Sequence, residues 1–391
     1  MIQINARQIF TPDRLAVNPI INIKHGKILG FGEDAVSDSL TIFELPDYDL
    51  VPGFVELQIN GAFGVDFTQD PTKVWQVGRR LTELGITIFL PTIITSPLDS
   101  VQHAIRTWKD GAPKDYDGAA IPGFHLEGPF INPEKKGAHR QEFIRKPTME
   151  DISEWKPENG IRLVTLAPEI PGALEIIALL SARKITVSAG HSMATREQIK
   201  EGITAGIACG THLFNAMRPL DHRHSGIIGT LLTNDNLKVG LIVDGIHLAP
   251  EIVKLVFRAK GEDNIFLVSD AMGALGLSPG EYQLAGRKVT VNETSAHLED
   301  GTLAGSILTP TESLRNFQTF SGCTFEQALR CWTTTPADLM RFEVHGRLAP
   351  GLQADLVALD DHGRVAATMI NGEWVFIAPW ANLTSKRVGE K

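Results

Sequence analysis

Eight apolar, strand-like runs recur through the middle of the chain, and their alternation with helix-like segments restricts the fold more than any other feature. The runs are LVPGFVELQIN (50–60), TIFLPTIIT (87–95), AIPGFHLEG (120–128), IRLVTLAPE (161–169), KITVSAGH (184–191), GIACGTHLFN (206–215), LKVGLIVDG (237–245) and NIFLVSDAMG (264–273). Helical patterns with spaced apolar positions lie between several of them, at 71–85, 172–183 and 195–206, the first opening on Pro71. Strand and helix alternating eight times predicts an α/β fold, a parallel (β/α)8 TIM barrel with buried apolar strands. The alternative is a doubly wound open sheet, which calls for a Gly-rich phosphate loop after an early strand; the sequence has none.

Polar residues favour the barrel more sharply. Gln58 and Asn60, His125 and Glu127, Glu169, His191, His212 and Asn215, Asp244 and His247, and Asp270 all stand at or just past the ends of these runs. In a barrel that rim is where active sites are built.

The chain ends read differently. Residues 20–32 hold short strand candidates split by a turn-like HG, and residues 354–376 repeat the style with HG and NG turns. Two β-rich ends flanking one barrel pair most simply into a small accessory β-sandwich. The expected division is therefore 1–52 plus 345–391 as a small β domain, and 53–344 as the barrel.

With 37 basic against 46 acidic residues and no basic stripe, nucleic acid is not an expected partner. Cys209, Cys323 and Cys331 form an odd set without metal-type spacing, which suits a reducing cytosol. The N-terminus lacks an apolar signal core and no apolar run could span a bilayer, so the expected location is cytoplasmic, away from any membrane.

The densest chemical constellation is Glu127, His191 and His212, each terminating a different apolar run. Two imidazoles and a carboxylate, with one position left open, form a typical catalytic zinc set. One such histidine alone is more often a packing residue; three on the rim are read together as ligands. Asp270 follows the eighth run, where a carboxylate can take a proton from a water whose pKa falls to roughly 7 on zinc, then return it to a leaving amine. An N-cap or turn role suits Asp270 equally well, and the residues leave that choice open. His139, Arg223 and His247 are loop residues near these ends; arginine favours bidentate phosphate or carboxylate recognition, so an anionic substrate fits.

The segments PGFVELQINGAFGVDF, GFHLEGPFINPEKKGAH, TLAPE, VSAGHSMA, THLFNAMRPLDHR, IVDGIHL, LVSDAMGALG and LAGSILT run in order from about residue 50 to 310. Together they resemble the N-acetylglucosamine-6-phosphate deacetylases of the amidohydrolase superfamily. The resemblance implies a barrel with a small β domain and hydrolysis of the acetamide of a phosphorylated amino sugar. It also implies Glu127, His191 and His212 as metal ligands, Asp270 as general base and acid, and His139 as a residue polarising the carbonyl. Ala138, His139, Asn215, Ala216, Arg223 and His247 match substrate or phosphate contacts, and Ile307 matches an apolar contact to the acetyl or sugar. The arginine reaches across a subunit boundary in such proteins, which implies a homodimer.

Three rival functions remain at this level. A two-metal amidohydrolase would show H-x-H on the first strand, where this chain has Gln58 and Asn60, and often a lysine on the fourth, which ends TLAPE. The galacto epimer of the substrate is not separable by sequence. A catalytically dead sugar-phosphate-binding protein is disfavoured by the intact Glu127, His191, His212 and Asp270. Neutral amides are poor zinc ligands, so Gln58 and Asn60 are expected to line a vacant second position, leaving one divalent metal per subunit. Zn²⁺ is the expected ion, with Fe²⁺, Co²⁺ and Mn²⁺ accepting similar ligands.

Overall fold

The computed structural model describes residues 1–12, 15–17, 19–32 and 40–388. Eight parallel strands follow one another around a barrel: β1 (Phe54–Ile59), β2 (Ile86–Ile94), β3 (Phe124–Glu127), β4 (Ile161–Leu166), β5 (Thr186–Ala189), β6 (Ile207–Gly210), β7 (Lys238–Leu241) and β8 (Ile265–Leu267). The chain just past β8 closes the ring against β1. Asp270 N–H donates to Gln58 O at 2.9 Å, and Asn60 N–H donates to Ala271 O at 2.7 Å.

Seven helices follow seven of the eight strands: α1 (Val74–Leu81), α2 (Leu98–Asp110), α3 (Ala173–Ala182), α4 (Arg196–Ala205), α5 (Gly226–Thr233), α6 (Pro250–Lys260) and α7 (Pro310–Ser321). Local chemistry sets several starts. Thr195 accepts from Gln198 N–H at 3.3 Å while the Gln198 side chain accepts from Thr195 N–H at 2.9 Å, a reciprocal cap at the head of α4. Thr309 and Glu312 do the same for α7.

The exception to the expected alternation lies between β3 and β4. Residues 128–160 form short 3-10 segments and turns there, with Pro129, Pro133, Pro147 and Pro157 breaking up the stretch. This loop is nevertheless packed: Trp155 is fully buried and stacks on Phe130 with ring centroids 5.4 Å apart.

The run at 50–60 is also not one strand. Val51 and Pro52 end a long strand, Leu40–Pro52, that belongs to a second sheet, and the barrel strand starts at Phe54. Gly53 is the joint, where a Cβ would lie 2.0 Å from Thr87 Oγ1. Among the described residues that second sheet has nine strands drawn from both chain ends; Leu356–Leu359 pairs antiparallel with residues 49–52, and Ile2–Phe10 pairs parallel with Leu40–Pro52. The HG turn at 25–26 and the NG turn at 371–372 use left-handed backbone at both residues, His25 and Gly26 at φ 51° and 74° and Asn371 and Gly372 at 51° and 79°, whereas in the HG at 362–363 only Gly363 does, at 72°. No helix among the described residues is long and apolar enough to cross a membrane.

Inside the barrel, Leu57, Leu90, Leu163, Cys209 and Phe266 join in one apolar cluster that draws on five strands. A polar layer also crosses the interior, which the expectation of uniformly apolar strands did not foresee. His125 Nε2 lies 2.8 Å from Thr165 Oγ1, Thr165 lies 2.7 Å from Thr211, and Thr211 lies 2.5 Å from Ser188. Burial lowers the His125 pKa to about 4, so this layer is neutral.

The seam carries a fully buried carboxyl, Glu56, which accepts Gln58 N–H at 2.8 Å and Ser269 N–H at 2.9 Å. Burial pushes its pKa up to about 8. Glu56→Ala leaves two buried N–H groups without acceptors, at about 1–3 kcal/mol each. Urea denaturation is expected to show that loss in the midpoint, with Glu56→Gln, which keeps one acceptor, intermediate between the two.

Candidate active site

A cavity of about 490 Å³ opens at the carboxyl ends of the barrel strands. Its lining includes Asn60, Glu127, Ala138, His139, His191, His212, Asn215, Ala216, His247 and Asp270. Gln58 lies just behind the wall, hydrogen-bonded to both carboxylates. Ile307 is half-buried in an adjoining apolar cluster that includes Ala138. Arg223 is the expected site residue that the chain does not bring to this cavity; it is exposed in the loop after β6, its N–H held at 2.9 Å by Asp221.

Glu127 ends β3 at the centre of the floor. His191 Nε2 and His212 Nε2 stand 3.1 and 3.0 Å from the same oxygen, Oε1, and Gln58 Nε2 donates to that oxygen at 3.0 Å. His139 Nε2 lies 3.9 Å from the other oxygen. Burial opposes ionisation of Glu127, but the hydrogen bonds with His191 and His212 and the nearby His191 and His139 imidazoles outweigh it and hold the carboxyl well below the usual range.

The donor set suits a divalent cation. His191 Nδ1 is 2.7 Å from Lys135 O, so that nitrogen carries a proton, and Nε2 is turned to the Glu127 carboxylate. Two lone pairs at 3.1 Å require a positive charge between them, either a proton or a metal ion. The ligand atoms of Glu127, His139 and His191 lie within 4.8 Å of one another. His212 reaches the same Oε1 as His191, and its buried Nδ1 has no protein partner. Both histidine pairs therefore surround Glu127. His191 and His212 share one oxygen at contact distance, which favours them as the ligands. His139 is held instead by Thr95, whose Oγ1 is 2.8 Å from Nδ1, and burial with the charge of His191 lowers its pKa to about 3.

Asp270 faces this group from the seam. Its Oδ1 accepts from Asn60 Nδ2 at 2.8 Å and Gln58 Nε2 at 3.2 Å, and Gln58 bridges it to Glu127. Burial, and then the like charge of Glu127, raise the Asp270 pKa to about 6. A loop after β8 braces it, with Ser306 N–H donating to Asp270 O at 2.9 Å and Ser306 Oγ to Ser269 O at 2.5 Å. His191, His212 and Asp270 all have left-handed backbone, at φ 49°, 27° and 49°. Such strain persists only where the surroundings over-determine it, and it concentrates at functional sites.

Across the mouth, His247 Nδ1 is fixed by Asp244 at 2.6 Å, leaving its Nε2 available to the cavity. Burial raises the Asp244 pKa, but the bonds from His247 outweigh it and hold Asp244 ionised. Glu169 ties three loops together by accepting from Asn132 Nδ2 at 2.9 Å, Ser192 Oγ at 2.7 Å and Met193 N–H at 2.6 Å. Sequence reasoning placed Glu169 and Asp244 on the rim without a role. It missed Thr95 altogether, because a threonine in an apolar strand carries no signal of the ring it orients.

Residues 50–375 match the amidohydrolase family. The chain belongs to that family. It is 36% identical over 383 residues to N-acetylglucosamine-6-phosphate deacetylase of Bacillus subtilis, covering 96% of this chain and 97% of that one. The crystal structure of N-acetylglucosamine-6-phosphate deacetylase from Thermotoga maritima superposes with a TM-score of 0.88 at 34% identity, covering 96% of this chain and 100% of that one. An Asp-to-Ala variant of the Mycobacterium smegmatis enzyme, in complex with N-acetyl-D-glucosamine-6-phosphate, superposes at TM-score 0.86 and 31% identity, covering 96% and 99% of the two chains.

An amidohydrolase site of this composition links cation binding to stability. At a free Zn²⁺ concentration a hundredfold above Kd, the metal-free protein is expected to gain about 2.7 kcal/mol. His191→Ala should largely lose that gain in a thermal-shift titration.

Proposed function

We propose that this chain hydrolyses the acetamide of N-acetylglucosamine 6-phosphate, giving glucosamine 6-phosphate and acetate. The observation that carries the reading is the placement of Asp270, an acid–base group poised near neutrality, over the Glu127–His191–His212 cluster in one cavity. The names of the similar proteins supply the substrate class.

A divalent cation held by Glu127, His191 and His212, Zn²⁺ in the simplest case, would supply Lewis acidity, polarising the amide carbonyl and lowering the pKa of water to about 7. Asp270, oriented by Gln58 and Asn60, takes the proton of the attacking water. It then delivers a proton to the amide nitrogen, since an amine anion is too basic to leave near neutral pH. Neutral His139, steadied by Thr95, hydrogen-bonds the carbonyl oxygen as charge develops on it. His247 and Asn215, with the backbone of Ala216, hold the phosphate on the opposite wall and so position the acetamide. Gln58 and Asn60 turn their NH₂ groups toward carboxylates, which supports one cation per subunit. The exposed Arg223 serves the phosphate of the neighbouring subunit in a homodimer.

Acetate release from the gluco and galacto sugar phosphates, and from their unphosphorylated forms, tests the reading; no turnover of any of them with metal present refutes it. Asp270→Asn should lower kcat about 10²–10⁴-fold while retaining one equivalent of metal. Asp270 must be ionised to act as base, so kcat/KM should fall tenfold per pH unit below its pKa. A bound cation pulls that pKa down, which places the acid limb at or below pH 6.

Arg223→Ala should weaken transition-state binding by about 1.5–3 kcal/mol, the worth of a charge-assisted hydrogen bond. Co-expression of Arg223→Ala with Asp270→Asn should restore activity, because a hybrid dimer rebuilds one intact site. An arginine acting within its own subunit would give no restoration.

A further inference from the structure

The lining of the cavity carries an apolar patch on one side. The loops after β6 and β7 contribute Asn215 and His247 beside Ile242, whereas Ile94 at the end of β2, Ala138 after β3, and Leu284 and Leu303 from the excursion after β8 form an apolar patch next to His139. Strands β2 and β6, and β3 and β7, are four apart in an eight-stranded ring, so these two linings oppose one another across the mouth. Ile94 and Leu284 are each 3% exposed, and both belong to an apolar cluster with Met272, Val289 and Ala304, which backs the wall from behind.

Leu284 is not part of the barrel. It ends a strand, Gly280–Leu284, of a three-stranded sheet inserted between β8 and α7. Hydrogen bonds fasten that insertion to the barrel loops, among them Gln69 Nε2 to Gln283 Oε1 at 3.1 Å. Asp66 Oδ2, after β1, accepts Ala285 N–H at 2.5 Å, and Arg287 Nη1 donates to Ala138 O at 3.2 Å. Asp66 is itself fixed by Thr68 N–H at 2.8 Å. The insertion therefore presents a rigid aliphatic surface next to His139, the group that faces the amide carbonyl in the proposed reaction.

We infer that Leu284 and Ile94 form the acyl wall of the site and limit the substrate to short N-acyl groups, Leu284 setting the length. The inference rests on the proposed hydrolysis of a 2-acylamino sugar 6-phosphate. An apolar wall beside the carbonyl is where the alkyl group of the acyl chain must point, once the carbonyl oxygen faces the cation and His139 and the nitrogen faces Asp270. The close backing leaves a methyl group room and excludes a longer chain.

The test compares kcat/KM for the N-acetyl and N-butanoyl derivatives of glucosamine 6-phosphate in the metal-loaded, full-length protein. The wild type should prefer N-acetyl. Leu284→Ala should raise the butanoyl-to-acetyl ratio at least tenfold, in line with the roughly 10–200-fold that one methylene is worth in a fitted pocket. Ile94→Val should raise it less, and Leu284→Phe should lower it further, so a folding failure in one variant leaves the opposite direction measurable. An unchanged ratio in an active variant overturns the acyl wall and leaves the deacetylase reading intact. Absence of turnover of either substrate by the wild type overturns both.

Discussion

Closure of the barrel between β1 and the segment after β8 is the contact on which the site depends. Asp270 lies more than two hundred residues from Gln58 along the chain, and only the ladder Asp270 N–H to Gln58 O and Asn60 N–H to Ala271 O brings them side by side. Buried Glu56 reinforces the same seam by taking two N–H groups, one from each side. Without this closure Asp270 and the amides Gln58 and Asn60 that orient it would belong to opposite edges of an open sheet. The seam is thus both the last joint of the fold and the first requirement of the chemistry.

Electrostatics then assigns different tasks to similar groups. Glu127 and Asp270 are both buried carboxyls, yet hydrogen bonds from His191 and His212 drive one down while burial and repulsion lift the other. His139 and His212 are both buried imidazoles, yet burial and the charge of His191 keep the first neutral while the pull of Glu127, stronger than the burial that opposes it, favours the charged form of the second. Separation of this kind between neighbouring groups marks acid, base and ligand roles in a shared site. Gln58 links the two carboxylates directly, so a change in the charge around Glu127 is felt at Asp270.

Much of this was legible in the chain itself, for identifiable reasons. Apolar runs punctuated by helical segments reveal a barrel because each parallel strand is buried on both faces, and a polar residue ending such a run has nowhere to go but the rim. Glu127, His191, His212 and Asp270 stood out on that ground. Arrangements made by the backbone were not legible. The break at Gly53, the helix-free path from β3 to β4, and the polar layer through His125, Thr165 and Thr211 depend on packing between distant segments. Thr95 and Leu284 were invisible for a related reason. Each acts through what it sits against, and neither residue type announces a role in an apolar or alternating context. Arg223 stood out as a candidate for anion recognition, its reach across a subunit boundary came only by resemblance, and within a single chain it remains outside the cavity.

The left-handed backbone at His191, His212 and Asp270 has a consequence beyond catalysis. Glycine adopts that region freely and side chains with a Cβ less readily, so at His191 and His212 the fold tolerates the side chain rather than requiring it. A descendant lineage that exchanged them for glycine or asparagine would shed backbone strain while losing its chemistry. Selection for stability alone would not preserve the activity and could even erode it. Inactive copies of this barrel could therefore persist as well-folded proteins, indistinguishable in overall shape from working ones. In this architecture, shape is the slower clock and a handful of strained positions the faster one.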